Sequence, residues 1–268
     1  MNVVKKIDLE IKHDLFALAV LKDFVVCGSE NRDLKIFDKS LNKLGNIFLI
    51  DDMAIHVMSK NFLKNEVILY CADNECFIWV DIATHDYKII SIDISNHNFG
   101  PAFYWDDDYA IVENCTGHFY ELDIKKGCLS IVSDDIIKIK YPQLDRLIDI
   151  GRNMGLLSVS INNGYIVKES RDGSSVSIIT LDSIRKINPP TFPYHNIVYE
   201  YGITVFVGET KIQVVNEHDQ IFILFPQKGY NFLIVEPRKD GQRLELVVLS
   251  GYLPDHRYSL INVYGVCN

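Results

Sequence analysis

A polar residue closes an apolar run again and again along the chain, at Asp38, Asp81, Asp123, Glu169, Asn216 and Asn262. The steps average about 45 residues, a period that points to a repeated supersecondary unit. The text around these positions repeats in kind. Residues 25–38 read VVCGSENRDLKIFD, residues 67–81 read VILYCADNECFIWVD, and residues 110–123 read AIVENCTGHFYELD. Each is an apolar run, a small polar turn, a second apolar run and a polar stop, which spells a β-hairpin. Helical periodicity is nearly absent. Most apolar runs are about 5 to 8 residues long, rich in Val, Ile, Phe and Tyr, and bounded by Asn, Asp, Gly or Lys. The recurring polar residue itself is expected to cap a turn.

Each period divides into four strands. The first holds LFALAVL, DFVVCGS, DLKIFDK and NIFLI, from Leu15 to Ile50; the second holds AIHVMS, EVILYCA, CFIWVDI and YKIISIDI, from Ala54 to Ile94. The third holds AFYW, YAIVEN, HFYELDI and CLSIV, ending at Val132. The fourth is read as RLIDIG, LLSVSI, YIVKES and SVSIITL, ending at Leu181, and the fifth as NIVYEY, ITVFVG, KIQVVN and QIFILF, ending at Phe225. A sixth period has three strands, NFLIVEP, RLELVVLSG and RYSLINVYG, while an orphan strand, VVKKIDLEI, precedes the first period. Joining the orphan to the short period closes a ring and leaves no blade edge open.

On that period and strand count the chain resembles the β-propeller superfamily, and loosely the WD40-type repeats, over its whole length. The expected fold is all-β, a single domain over residues 1–268: a six-bladed propeller closed by the N-terminal strand, with seven blades as the alternative. The WD40 signature is missing, since Trp79-Val80-Asp81 is its nearest approach and no Gly-His dipeptide opens a blade.

The formal net charge is −9. That argues against a nucleic-acid partner, whose phosphates need clustered Lys and Arg, and suits a basic protein partner. The first sixteen residues show no signal peptide, and the longest apolar run, Leu15 to Leu21, is too short to span a bilayer. A cytoplasmic protein with no membrane partner is expected. Cys71 and Cys76 flank one turn, but without an export signal their thiols are expected to stay reduced.

In a propeller the loops joining blades, and those between second and third strands, lie on one face. Acidic residues dominate there: Glu30, Asp33, Asp51, Asp52, Asp73, Glu75, Asp134, Asp135 and Glu209 among others. The other face collects cations such as Lys22, Lys39, Lys60, Arg238 and Arg243. Stiff, proline-containing loops on the acidic face carry Tyr141, Phe192, Tyr194 and Tyr252, good anchors because little rotamer entropy is lost on binding. Plugging the central channel or covering blade edges is the competing role for these rings. The expected partner-binding set is Asp51, Asp52, Asp73, Glu75, Asp134, Asp135, Tyr141, Phe192, Tyr194 and Tyr252. His97, His118, His195 and His256 also fall in these loops, though no motif makes them a metal site.

No phosphate-cradling Gly loop, HExxH or GxSxG occurs. The expected function is therefore non-catalytic protein binding, with no cofactor. The small acidic chain, rich in Lys, Asn, Ile and Asp, also resembles in character the bacterial immunity proteins of contact-dependent growth inhibition systems. That resemblance implies neutralisation of a basic nuclease toxin by occluding its active site. A metal-dependent hydrolase, similar to the lactonase and phosphotriesterase propellers, and a scaffold subunit are the alternatives.

Overall fold

The computed structural model describes residues 2–30, 32–49, 55, 58–61, 63–71, 74–92, 99, 104–105, 108–114, 116–154, 161–162, 164–170, 172–254 and 257–267. Strand β1 (Asn2–Ile11) comes first in the chain. The first sheet follows as β2 (Leu15–Val20), β3 (Phe24–Ser29), β4 (Asp33–Asp38) and β5 (Lys43–Phe48), and the second as β6 (Met58–Asn61), β7 (Glu66–Cys71), β8 (Cys76–Asp81) and β9 (Tyr87–Ser91). The third contains β10 (Tyr104–Trp105), β11 (Tyr109–Glu113), β12 (Phe119–Asp123) and β13 (Cys128–Val132). Two helices intervene, α1 (Asp134–Lys140) and α2 (Pro142–Asn153). The fourth sheet is β14 (Ile161–Asn162), β15 (Tyr165–Glu169), β16 (Val176–Thr180) and β17 (Ile184–Ile187); the fifth is β18 (Asn196–Glu200), β19 (Ile203–Val207), β20 (Ile212–Val215) and β21 (Ile221–Leu224). Last come β22 (Tyr230–Asp240), β23 (Arg243–Tyr252) and β24 (Ser259–Cys267).

These are the six four-stranded antiparallel blades of a six-bladed β-propeller. Five sheets run in chain order, and the sixth is ordered β1-β24-β23-β22. The orphan strand thus completes the last blade: Asn2 faces Cys267 and Ile11 faces Ser259, with one irregularity between Lys5 and Ile7. Side chains reinforce this register. Asn262 Nδ2 donates to Asp8 Oδ1 at 3.0 Å, and Lys6 and Arg238 both donate to the buried Glu245, at 2.5 and 2.8 Å.

The strand types follow from burial. Middle strands are covered on both faces, so they read as continuous apolar runs: Val25, Val26 and Cys27 of β3 are all fully buried. Each such Val is worth about 1.5–3 kcal/mol of transfer free energy. Outer strands alternate, leaving Phe48, Ile131 and Ile221 exposed, and Lys43, Lys88 and Lys186 on those strands discourage edge-to-edge pairing.

The recurring polar residue is a turn cap at Asp38, Asp81, Asp123 and Asn216, whereas Asn262 lies inside β24 and caps no turn. Asp38 Oδ1 accepts from the Ser40 and Asn42 amides at 2.8 Å, Asp81 Oδ1 from Ala83 at 2.8 Å, and Asn216 Oδ1 from His218 and Gln220 at 3.0 and 2.9 Å. These amide bonds hold the Asp38 carboxyl below the usual aspartate range, led by the Asn42 side chain. In the fourth sheet the same place belongs to Thr180, whose hydroxyl accepts from the Asp182 and Ser183 amides. Glu169 ends β15, the second strand of its sheet, so it is not equivalent to Asp38.

That shift corrects the expected fourth blade. Residues 146–151 are not its first strand; they lie in α2. Leu144, Leu147, Ile148 and Gly151 recur at i, i+3, i+4 and i+7 and are all buried, and Pro142 stands at the helix start, where its missing N–H costs nothing. The fourth strand is instead Ile184–Ile187, a short charged outer strand with weak apolar patterning.

The chain divides into two compact units, residues 1–65 with 190–268, and residues 66–189. In the first, Val20, Val25 and Cys27 pack with Val247, Leu249 and Ile261, and Val205 and Val214 pack with Phe232 and Leu246. In the second, both helices bury Ile137, Leu144 and Leu147 against Ile111, Phe119, Ile166 and Ile179, while Phe77, Phe99 and Tyr120 form a second core.

Candidate partner-binding surface

In the first unit, the ends of the fifth and sixth sheets at which β18 and β22 begin carry three of the expected anchors. Phe192 and Tyr194 lie on the segment leading into β18, and Tyr252 closes β23. All three are half-buried. Prolines 189, 190 and 193 stiffen the segment, and it presses on the β19–β20 turn so closely that a Cβ on Gly208 would lie 2.3 Å from the Pro193 carbonyl oxygen. Tyr194 meets the buried Phe206 edge-to-face at 5.3 Å, and His195 Nε2 donates to the Leu233 carbonyl at 3.0 Å.

Tyr252 is held by aromatic neighbours on both sides, Tyr230 at 5.0 Å and Tyr258 at 6.2 Å. Its ring also covers Gly229, where φ of 88° and a hypothetical Cβ 2.7 Å from the ring both require glycine. Tyr230 anchors the stack by donating to Glu10 Oε2 at 2.9 Å. Burial, with this bond to a carboxylate, pushes the Tyr230 phenol up to about 12. The result is an aromatic surface whose rings are already fixed, with Lys211 over the faces of Phe192 and Phe225 at 5.9 and 6.0 Å.

The charge around these rings is mixed. Glu209 Oε2 accepts from Asn231 Nδ2 at 3.3 Å, while Lys211 and Lys228 lie on neighbouring turns. Asp33, counted among the surface acids, is buried in β4, where it accepts from Ser29 Oγ, from Lys35 Nζ at 2.7 Å and from Asn46 Nδ2 at 2.8 Å. Asp51, Asp52 and Asp73 lie outside the described residues, as do His97 and His256.

In the second unit, Glu75 is exposed in the β7–β8 turn with φ of 47°. Asp134 and Asp135 occupy the first turn of α1 behind the Ser133 cap, where carboxylates favour the helix dipole. Asp134 also pairs with Arg152 of α2 at 3.1 Å. Tyr141 does not fit the expected role. Only 1% exposed, it is the junction between the helices, and its hydroxyl donates to Glu121 Oε2 at 2.5 Å. It is a core anchor of the helix pair.

Lys60, expected among the loop cations, is buried in β6, the first strand of its sheet. Its ammonium pairs with Glu236 of β22 and, at 3.3 Å, with Glu200 of β18. Burial opposes the lysine's charge, yet Glu236 and Glu200 outweigh it and hold Lys60 above the ordinary lysine range. The far end of sheets five and six, beyond this triad, bears an open cleft of about 330 Å³ beside Tyr201, Asn216, His218 and Arg243. Among the described residues no three His, Cys, Asp or Glu side chains converge as metal ligands would, and no helix is long and apolar enough to cross a membrane. Neither a protein-family model nor a curated protein matches the chain.

Proposed function

We propose that this propeller is a non-catalytic protein-binding module that engages its partner through Phe192, Tyr194 and Tyr252. The observation that carries the reading is their immobilisation. Each ring is half-buried and held by ring stacking or a glycine-floored contact, so it offers apolar area to a partner with little further entropy to lose. The charge of −9 favours a basic partner and raises its association rate. In its most specific form the partner is a basic nuclease toxin, and the protein is the immunity factor that covers the toxin's active site. The hydrolase alternative has less support: Glu200 and Glu236, the carboxylates brought together on innermost strands, are engaged by Lys60.

The test is titration against a basic nuclease domain encoded beside the protein, at low and high salt. Binding weakened by salt, and at least tenfold weaker in Phe192→Ala/Tyr252→Ala with thermal stability kept, agrees with the reading. Affinity indifferent to both changes overturns it.

A further inference from the structure

We propose that Cys71 and Cys76 are a reversible oxidation site, in which hydrogen peroxide converts two facing thiols into a cross-strand disulfide. The pair stands independently of any partner. Cys71 ends β7 and Cys76 begins β8, and the two are directly opposed in the antiparallel register. Directly opposed residues in such a ladder have Cα atoms about 4.5 or 5.5 Å apart, according to their place in the hydrogen-bond pattern. Both values lie inside the Cα range of about 4.4–6.8 Å that a disulfide spans. No strand needs to slide for the bond to form.

Both thiols are reduced and nearly buried, at 4% and 3% exposure. The Cys71 thiol donates to the Cys76 sulfur, which holds Cys76 below the usual thiol pKa, although burial works against it. Cys76 is therefore the nucleophile and Cys71 the resolving thiol. Burial alone would make the pair inert, but its position at the hairpin end counters that: Asn74 and Glu75, immediately before Cys76, are exposed. Local opening at Asn74 and Glu75 costs far less than global unfolding and admits a molecule as small as peroxide.

The chemistry balances without further reagents. The Cys76 thiolate attacks one peroxide oxygen, the O–O bond breaks, and hydroxide leaves, taking up the proton that Cys76 released and forming water. The Cys71 sulfur then attacks the Cys76 sulfenic sulfur; the S–S bond forms, the S–O bond breaks and a second water departs with the Cys71 proton. Two thiols lose two electrons, and peroxide gains them.

The sequence makes the test clean. Trypsin cuts after Lys64 and Lys88, and the fragment between them contains Cys71 and Cys76, no other cysteine and no internal Lys or Arg. The full-length protein is treated with equimolar peroxide, unfolded, alkylated with iodoacetamide and digested. The expected product is an unalkylated fragment lighter by two hydrogens, which dithiothreitol returns to the doubly alkylatable form. In Cys71→Ser, a Cys76 sulfenic acid trapped by dimedone is expected. Exposed Cys128 is the internal benchmark. Doubly alkylated fragment at doses that oxidise Cys128, or sulfinic acid on Cys76 of the unmodified chain, overturns the proposal, and neither reading depends on the variant folding.

Discussion

Tyr141 and Glu121 are joined by a hydrogen bond of 2.5 Å that ties the hinge between two helices to a middle strand of the third sheet. Lys140, one residue earlier, reaches the same carboxylate oxygen at 2.6 Å and lies 3.5 Å from the centre of the Tyr109 ring. The helix pair is thus clamped at its junction, through a part-buried polar bond at the margin of an apolar core.

Removing only the hydroxyl isolates that bond. Tyr141→Phe is expected to destabilise by about 2 kcal/mol, as for a bond to a charged acceptor, and Tyr141→Ala by about 4 kcal/mol because a cavity is added. Urea unfolding measures both, and partner affinity of folded Tyr141→Phe should be unchanged, in contrast to Phe192→Ala.

Lys60 makes a steeper prediction. Lys60→Met strands two carboxylates without their cation and should cost about 3–5 kcal/mol, much of it recovered in Lys60→Met/Glu200→Gln/Glu236→Gln. Folded Lys60 binds its proton more tightly than the unfolded chain does. Its stabilisation is therefore complete below the ordinary lysine pKa and falls as pH rises through the higher folded value. Unfolding curves at neutral and strongly alkaline pH should diverge in the natural protein and less in the triple variant.

The turn caps predict which substitutions are tolerated. Asn216→Asp keeps an acceptor that Asp38 and Asp81 supply elsewhere, so it should be nearly silent, whereas Asn216→Ala loses two amide bonds and should cost about 1 kcal/mol. At Asp38 the depressed carboxyl contributes stability above the usual aspartate pKa and loses it as pH falls through the lower folded value. Acid unfolding of Asp38→Ala against the parent protein reads that difference.

Deleting residues 2–11 should uncover the whole length of β24, whose Leu260, Ile261 and Val263 are buried. Loss of cooperative unfolding and concentration-dependent association are expected by calorimetry and gel filtration. Adding back a peptide of residues 2–11 should reverse both.

The six blades and the closing strand were legible because their signals are long-range regularities: a period, and a surplus strand matching a deficit. Local departures were harder to read. Thr180 replaced the expected acid as a cap with the same hydrogen-bond function, so matching by charge drew in Glu169 from the wrong strand. The spacing of Leu144, Leu147, Ile148 and Gly151 was present as a helical signal but short enough to pass for a strand inside an all-β chain. Among the candidate anchors, Phe192, Tyr194 and Tyr252 do reach the surface in part, while Tyr141 turned inward, since a tyrosine beside a proline reads alike whether it ends a loop or joins two helices. Lys60, Glu200 and Glu236 were missed as a group because nothing in one dimension links three residues drawn from three sheets.

The β1–β24 pairing also has a consequence in time. On the ribosome β1 emerges well before its neighbour, with roughly 250 residues made in between. Throughout that interval a ten-residue strand must wait without its mate, shielded by nascent-chain binders or by its own lysines, and the sixth sheet locks only once β24 has been made. A pause or truncation late in translation would leave a molecule with five finished sheets and an open clasp.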